Sequence, residues 1–121
     1  MSDFKSRVAV VDDDLDVLHS MRFLLEVAGH GVATFVCASD FLAEAGTGLF
    51  DSVILDQHMP RMSGLELATA LRAKGVDLPI MLISGSLTPD IIARGRELGL
   101  SSVVEKPVAE ADLMNFIDPP P

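Results

Sequence analysis

Residues 8–14 read "VAVVDDD", in which four small apolar residues run directly into the aspartates Asp12, Asp13 and Asp14. An apolar run without polar alternation is typical of a strand that is covered on both faces of a parallel sheet. Two unit charges about 4 Å apart repel by roughly 4 kcal/mol at an effective dielectric near 20, and a whole domain is stable by only about 5–15 kcal/mol. The three carboxylates therefore require an opposing charge nearby.

The same apolar pattern recurs along the chain, separated each time by a segment with helical spacing. We predict strands at 8–11, 32–36, 52–56, 80–84 and 102–106. We predict helices at 15–28, 39–45, 63–74, 88–98 and 109–117. Five repeats of strand then helix predict an α/β fold with a doubly wound parallel sheet and helices on both faces.

Local signals mark where the helices begin and end. Asp14 is a favourable N-cap for the first helix, and Gly29 stops it after an apolar stripe that starts at Leu15. Ser63 and Glu66 have the spacing of a capping box. Thr88 followed by proline marks the start of the fourth helix.

Composition limits the classes of protein that fit the chain. With 121 residues we expect one domain over residues 1–117, and "DPPP" at 118–121 is a tail or the start of a linker. The net charge of −9 opposes direct binding to nucleic acid or to an anionic membrane surface. The single cysteine, Cys37, and the lack of a signal peptide or membrane span indicate a cytoplasmic chain.

Polar residues follow the apolar runs at the carboxyl end of each predicted strand except the second. They are Asp12, Asp13, Asp56, Ser84, Glu105 and Lys106. In open parallel sheets ligands bind outside the carboxyl ends of the strands, so we expect these residues to share one crevice. Carboxylate oxygens at a wet site suit a hard cation such as Mg²⁺. One carboxylate is then placed to act as a nucleophile toward phosphorus.

From Arg7 to about Ile117 the chain resembles the receiver domain of two-component response regulators, the CheY-like superfamily. Four motifs carry the resemblance: "VVDDD", "LDQHMPRMSG" at 55–64, "ISG" at 83–85 and "EKP" at 105–107. It implies a flavodoxin-like (βα)5 fold with the strand order 2-1-3-4-5.

The resemblance implies roles at the carboxyl edge. Asp56 would be the phosphoacceptor, and Mg²⁺, with Mn²⁺ as an alternative, would be held by Asp13 directly and by Asp12 largely through water. Asp56 itself and the backbone carbonyl of His58 would complete the protein ligands. Lys106 would be the partner lysine of the phosphoryl group.

The remaining family positions concern the switch. Ser84 stands where the family has a hydroxyl that turns to the phosphoryl group, and Gly85 would leave that group room. Pro107 follows Lys106 in what is commonly a cis peptide. Val103 stands where many members carry Tyr or Phe, which excludes readout by an aromatic side chain there. His58 and Ser86 would line the path of the hydrolytic water, so we expect their substitution to change dephosphorylation.

The partners implied are a sensor histidine kinase, or a small acyl phosphate as donor, and an output domain or downstream protein. Formation of a homodimer is a further possibility, although the short last helix at 109–117 offers little surface for a dimer interface. The domain would catalyse its own phosphorylation and dephosphorylation without being an enzyme for other substrates.

One alternative function is that of a constitutive interaction module. Another is an aspartyl phosphatase of the haloacid dehalogenase type, which needs an Asp where His58 stands.

Four other residues or groups have simpler interpretations. We expect His19 and His30 at the surface and Cys37 as a small buried hydrophobe. The methionines, among them Met21 and Met81, are expected to fill the core.

Overall fold

The protein is described by a computed structural model that covers residues 4–121, so residues 1–3 of the predicted domain lie outside the described residues. Five parallel strands form one sheet in the order β2-β1-β3-β4-β5. The strands are β1 Arg7–Val11, β2 Gly31–Phe35, β3 Ser52–Asp56, β4 Ile80–Ser84 and β5 Ser102–Glu105. The predicted fold class and strand order are confirmed.

A helix follows each strand, as the sequence predicts. The helices are α1 Leu15–Val27, α2 Ala38–Glu44, α3 Gly64–Ala73, α4 Pro89–Glu97 and α5 Glu110–Ile117, with a short 3-10 turn at Ala45–Thr47. Within residues 4–121, no helix has both the length and the apolar character that crossing a bilayer requires.

The sheet separates two hydrophobic cores, because successive residues of a strand point to opposite faces. Val10, Ile54 and Met81 face α1 and α5, where Leu113 of α5 is completely buried. The alternate residues of the same strands face α2, α3 and α4. Both faces of the central strands are therefore covered, which explains their unbroken apolar runs.

The helix caps form as predicted. Asp14 is the N-cap of α1 and accepts a hydrogen bond from the backbone N–H of Asp16. Ser63 and Glu66 form a complete capping box at α3. Leu15, the first residue of α1, departs from the predicted core stripe and is 57% exposed.

Two simpler interpretations are corrected by the structure. His30 is buried instead of exposed, and its Nδ1 lies 2.7 Å from the hydroxyl of Ser6, which satisfies the ring nitrogen. Cys37 is half-buried instead of lying in the core, because it comes after the end of β2 at the N-cap position of α2. His19 is exposed, and Met21 and Met81 are buried, as expected.

Candidate functional site

The carboxyl ends of β1 and β3 place two buried carboxylates side by side. Asp12 follows β1, and its backbone N–H donates to the carbonyl of Phe35 on β2. Asp56 is the last residue of β3. Their exposed fractions are only 3% and 4%, so both charges lie largely out of water.

Asp13 completes a cluster of three carboxylates. One carboxylate oxygen from each of Asp12, Asp13 and Asp56 lies within 4.8 Å of the others. Asp13 is exposed, so the cluster opens to solvent on its side. Asp14 is not part of this cluster, because its side chain caps α1. The run of three aspartates therefore divides into two residues for the cluster and one for the helix.

Lys106 supplies one positive charge to the cluster. Its Nζ lies 3.1 Å from Oδ1 of Asp56 and 3.6 Å from Oδ2 of Asp12. Burial by itself lowers the pKa of Lys106, but the carboxylates of Asp56 and Asp12 outweigh it and hold that pKa above its usual value. The ammonium therefore stays charged at neutral pH. The peptide bond from Lys106 to Pro107 is cis.

One ammonium does not balance three carboxylates. Burial raises the pKa of Asp12, and repulsion from Asp56 and Asp13 raises it further, against the hydrogen bond from the Asp14 N–H and the charge of Lys106. Among the described residues, no group donates a well-aligned hydrogen bond to the buried Oδ1 of Asp56, although the ammonium is close. Hard oxygen donors with excess negative charge fit a divalent cation such as Mg²⁺.

Ser84 ends β4 at the same edge of the sheet, completely buried. Its hydroxyl donates to the carbonyl of Ser86 at 2.9 Å and accepts from the Ser86 N–H at 3.2 Å. Nε2 of His58 lies 3.2 Å from the same oxygen. The sequence predicts roles for the backbone carbonyl of His58 and for its side chain beside the hydrolytic water, but the 26-residue separation leaves no local signal for this contact with Ser84.

The other predicted positions lie around this edge. Gly85 is exposed, and a Cβ added there would meet no atom within 4 Å. Val103 is half-buried against Gly95 of α4. Glu105 is exposed and is not among the three clustered carboxylates, and its Oε2 accepts a hydrogen bond from the backbone N–H of Leu87. Pro107 and Ser86 are exposed.

The turn after β3 positions Asp56 through contacts that the sequence analysis did not identify. The N–H of Gly64 donates to the carbonyl of Gln57, whose side chain accepts from the Leu65 N–H. A Cβ on Gly64 would lie 2.6 Å from the backbone oxygen of Asp56. Only glycine permits this close approach of α3 to the end of β3. In the sequence, the only indication of this close approach was that Gly64 directly follows the helix cap Ser63.

Comparison with known families identifies this arrangement. The family model of the response regulator receiver domain matches residues 8–118. The chain belongs to this family, the receiver domains of two-component response regulators. The resemblance noted from the four motifs is thereby confirmed.

Individual relatives agree in sequence and in fold. The transcriptional regulatory protein PrrA of Mycobacterium tuberculosis is 38% identical over 108 residues, which cover 89% of this chain and 46% of PrrA. The transcriptional regulatory protein FixJ of Bradyrhizobium diazoefficiens is 34% identical over 115 residues, covering 94% of this chain and 56% of FixJ. The chain thus spans about half the length of these relatives.

A solved structure of the chemotaxis protein CheY4 of Vibrio cholerae superposes with a TM-score of 0.84. The two are 27% identical, and the match covers 93% of this chain and 95% of CheY4.

Proposed function

We propose that Asp56 accepts a phosphoryl group from a sensor histidine kinase or a small acyl phosphate, in a reaction that depends on Mg²⁺. The observation that carries this proposal is the buried Asp56 carboxylate with the Lys106 ammonium 3.1 Å away, beside two further carboxylates. A purely structural ion pair would not need the excess negative charge at this edge.

The transfer is a displacement at phosphorus. A carboxylate oxygen of Asp56 attacks the phosphorus, and the bond from phosphorus to the donor's oxygen or imidazole nitrogen breaks. The donor leaves as a carboxylate or a histidine, and Asp56 becomes an acyl phosphate. Lys106 offsets charge that develops on the phosphoryl oxygens. Position and electrostatics supply the catalysis, so the domain catalyses its own modification without being an enzyme for other substrates.

Asp12, Asp13 and Asp56, together with the backbone carbonyl of His58, would hold the divalent ion. Mg²⁺, or Mn²⁺ in its place, would supply charge neutralisation between the carboxylates and the phosphoryl oxygens. The three carboxylates are close enough for this role, with one oxygen of each within 4.8 Å of the others.

Ser84 is proposed to respond to the new charge by turning its hydroxyl to the phosphoryl group. Shifting two conformations from 1:99 to 99:1 takes about 5.5 kcal/mol. Two or three hydrogen bonds to a charged group, at about 1.5–3 kcal/mol each, are of that order. Gly85 carries no side chain that could occupy the space next to this position, and a Cβ there would meet no atom within 4 Å other than those of its chain neighbours. Exposed His58 and Ser86 would affect how fast water removes the phosphoryl group.

The readout would pass to the surface of β4, α4 and β5, where an output domain, a downstream protein or a second copy of the chain would bind. PrrA and FixJ are transcriptional regulatory proteins, and this chain matches only 46% and 56% of them. A net charge of −9 disfavours direct nucleic-acid contact by this segment itself. Transmission through an aromatic side chain at Val103 is excluded by the residue present.

The test is incubation with acetyl phosphate and Mg²⁺, followed by intact mass measurement. We expect one phosphoryl adduct on the wild type, none on Asp56→Asn, and none in the presence of a chelator. Asp77→Asn is the matched control, because Asp77 is exposed in the loop before β4, at the opposite end of the strands from Asp56. This variant should still form the adduct. No adduct with acetyl phosphate or with kinase-bound phosphohistidine would favour a constitutive interaction module. Turnover of an added phosphomonoester would favour the phosphatase.

A further inference from the structure

The hydroxyl of Ser84 has no free hydrogen-bonding position in this conformation. A serine hydroxyl offers one donor and two acceptor positions. The donor is used by the carbonyl of Ser86, and one acceptor position is used by the Ser86 N–H. The remaining contact is Nε2 of His58. If the hydroxyl proton is directed to the Ser86 carbonyl, Nε2 of His58 fills the remaining acceptor position by donating, which requires a neutral ring with its proton on Nε2.

This arrangement opposes the movement proposed for Ser84. To donate to a phosphoryl oxygen on Asp56, the hydroxyl must withdraw its proton from the Ser86 carbonyl and change its contact with the His58 ring. The two bonds to Ser86 involve its backbone N–H and carbonyl, which any residue except proline would provide at position 86. The contact with His58 is different, because it needs the imidazole side chain at position 58.

We propose that the imidazole of His58 is a positioning residue that holds the Ser84 hydroxyl in its bonds to the loop after β4. The side chain at position 58 then sets how readily Ser84 turns to a phosphoryl group. This inference rests on the proposed function of Asp56 and extends it to the regulation of the same site. It concerns the ring of His58 and is independent of the backbone carbonyl assigned to the metal.

The first test uses the metal-free protein and needs no phosphoryl donor. Long-range ¹H–¹⁵N correlation spectra at mildly alkaline pH distinguish the two neutral tautomers of a histidine. We expect the Nε2–H tautomer at His58, with nitrogen shifts that change in Ser84→Ala. The Nδ1–H tautomer, or shifts that ignore Ser84→Ala, would overturn the proposal.

The second test measures the affinity for beryllofluoride, a phosphoryl analogue, in the presence of Mg²⁺. His58→Leu removes the donor, and we expect its affinity to rise by about fivefold, which corresponds to the loss of one ordinary hydrogen bond. His58→Gln keeps an N–H donor and should stay near the wild type. His19→Leu is the matched control, because His19 is exposed on α1 and should leave the affinity unchanged.

A double-mutant cycle separates positioning from a general structural effect. In a Ser84→Ala background, His58→Leu should change the affinity by less than about 1.5-fold, because its target is gone. The role of His58 is refuted if His58→Leu alone binds beryllofluoride no more tightly than the wild type. It is also refuted if His58→Leu raises the affinity by the same factor in the Ser84→Ala background. If the wild type itself binds no beryllofluoride, the proposed function fails instead, and the tautomer measurement still decides the contact.

Discussion

Asp12 carries a charge that the fold stabilises poorly when no cation is bound. Burial and two neighbouring carboxylates raise its pKa, so its charged form is less favourable in the folded chain than in the unfolded chain. We predict that Asp12→Asn raises the free energy of unfolding by about 1 kcal/mol at neutral pH in chelator. Asparagine keeps an oxygen for the Asp14 N–H. Urea unfolding measures the change.

The pH dependence of this gain has a definite sign. The folded state binds more protons than the unfolded state between pH 3.8 and the raised pKa of Asp12, so the wild type loses stability as pH rises through that window. The advantage of Asp12→Asn should therefore shrink as pH falls toward 3.8. Asp77→Asn should show no such pH-dependent gain in the free energy of unfolding over the wild type. A less stable Asp12→Asn at neutral pH would contradict this account of the cluster.

His30 should destabilise the protein in acid. Burial lowers its pKa, and the charge of Lys5 adds to the effect while Asp118 opposes it. The unfolded chain therefore binds the proton first, and stability falls as pH decreases through 6.5 toward the lower folded value. Urea unfolding of the wild type and His30→Gln across that window should show the wild type losing more. If the free energies of unfolding of the two proteins change in parallel with pH, His30 is not the cause of the acid destabilisation.

Both histidine side chains whose environment the sequence analysis did not foresee bind partners far along the chain. His30 contacts Ser6 across 24 residues, and His58 contacts Ser84 across 26. Hydrophobic periodicity and capping signals report neighbours within a turn or a strand. The carboxylate, hydroxyl and lysine positions were accessible to prediction for a different reason, since each lies at the end of an apolar run or just after it.

At the level of whole elements, strand and helix order was predictable because the central strands are covered on both faces and the helices carry explicit caps. Strand ends were less accurate. β1 and β2 each begin one residue before the predicted ranges, because Arg7 pairs with Gly31 in the sheet. Neither residue is apolar, so the apolar runs could not include them.

The packing of α4 on β5 depends on Gly95. A Cβ at this position would lie 2.8 Å from Cγ2 of Val103. Gly→Ala in a helix interior ordinarily stabilises by about 1 kcal/mol. We predict the opposite here, a loss of about 1–3 kcal/mol in the free energy of unfolding, because overpacking displaces α4.

Two further variants isolate the cause of that loss. Gly46→Ala adds a methyl group where no atom lies within 4 Å, and should change the free energy of unfolding little. Adding Val103→Ala to Gly95→Ala should recover part of the loss, since it removes the clashing methyl group. If the double variant is destabilised by the sum of the two single changes, the contact with Val103 is not the reason.

For the whole molecule, the acidic cluster exists only when the sheet is formed. Its carboxylates and ammonium come from residues that follow or end β1, β3 and β5, and distant parts of the unfolded chain cannot hold them together. A divalent ion that binds there should therefore bind the folded state alone and stabilise it by mass action. The net charge of −9 adds a second effect, because any added salt screens the repulsion within the chain.

We predict that Mg²⁺ raises the free energy of unfolding of the wild type by about 2.7 kcal/mol when its concentration is a hundredfold above the dissociation constant. Urea unfolding with MgCl₂ or KCl at equal ionic strength separates binding from screening. Asp77→Asn should gain as much from Mg²⁺ as the wild type, because it changes the net charge without touching the cluster. Asp12→Asn and Asp56→Asn change the net charge equally but remove a ligand, so they should gain much less. If all four proteins respond alike, Mg²⁺ acts only through screening, and the cluster is not a metal site.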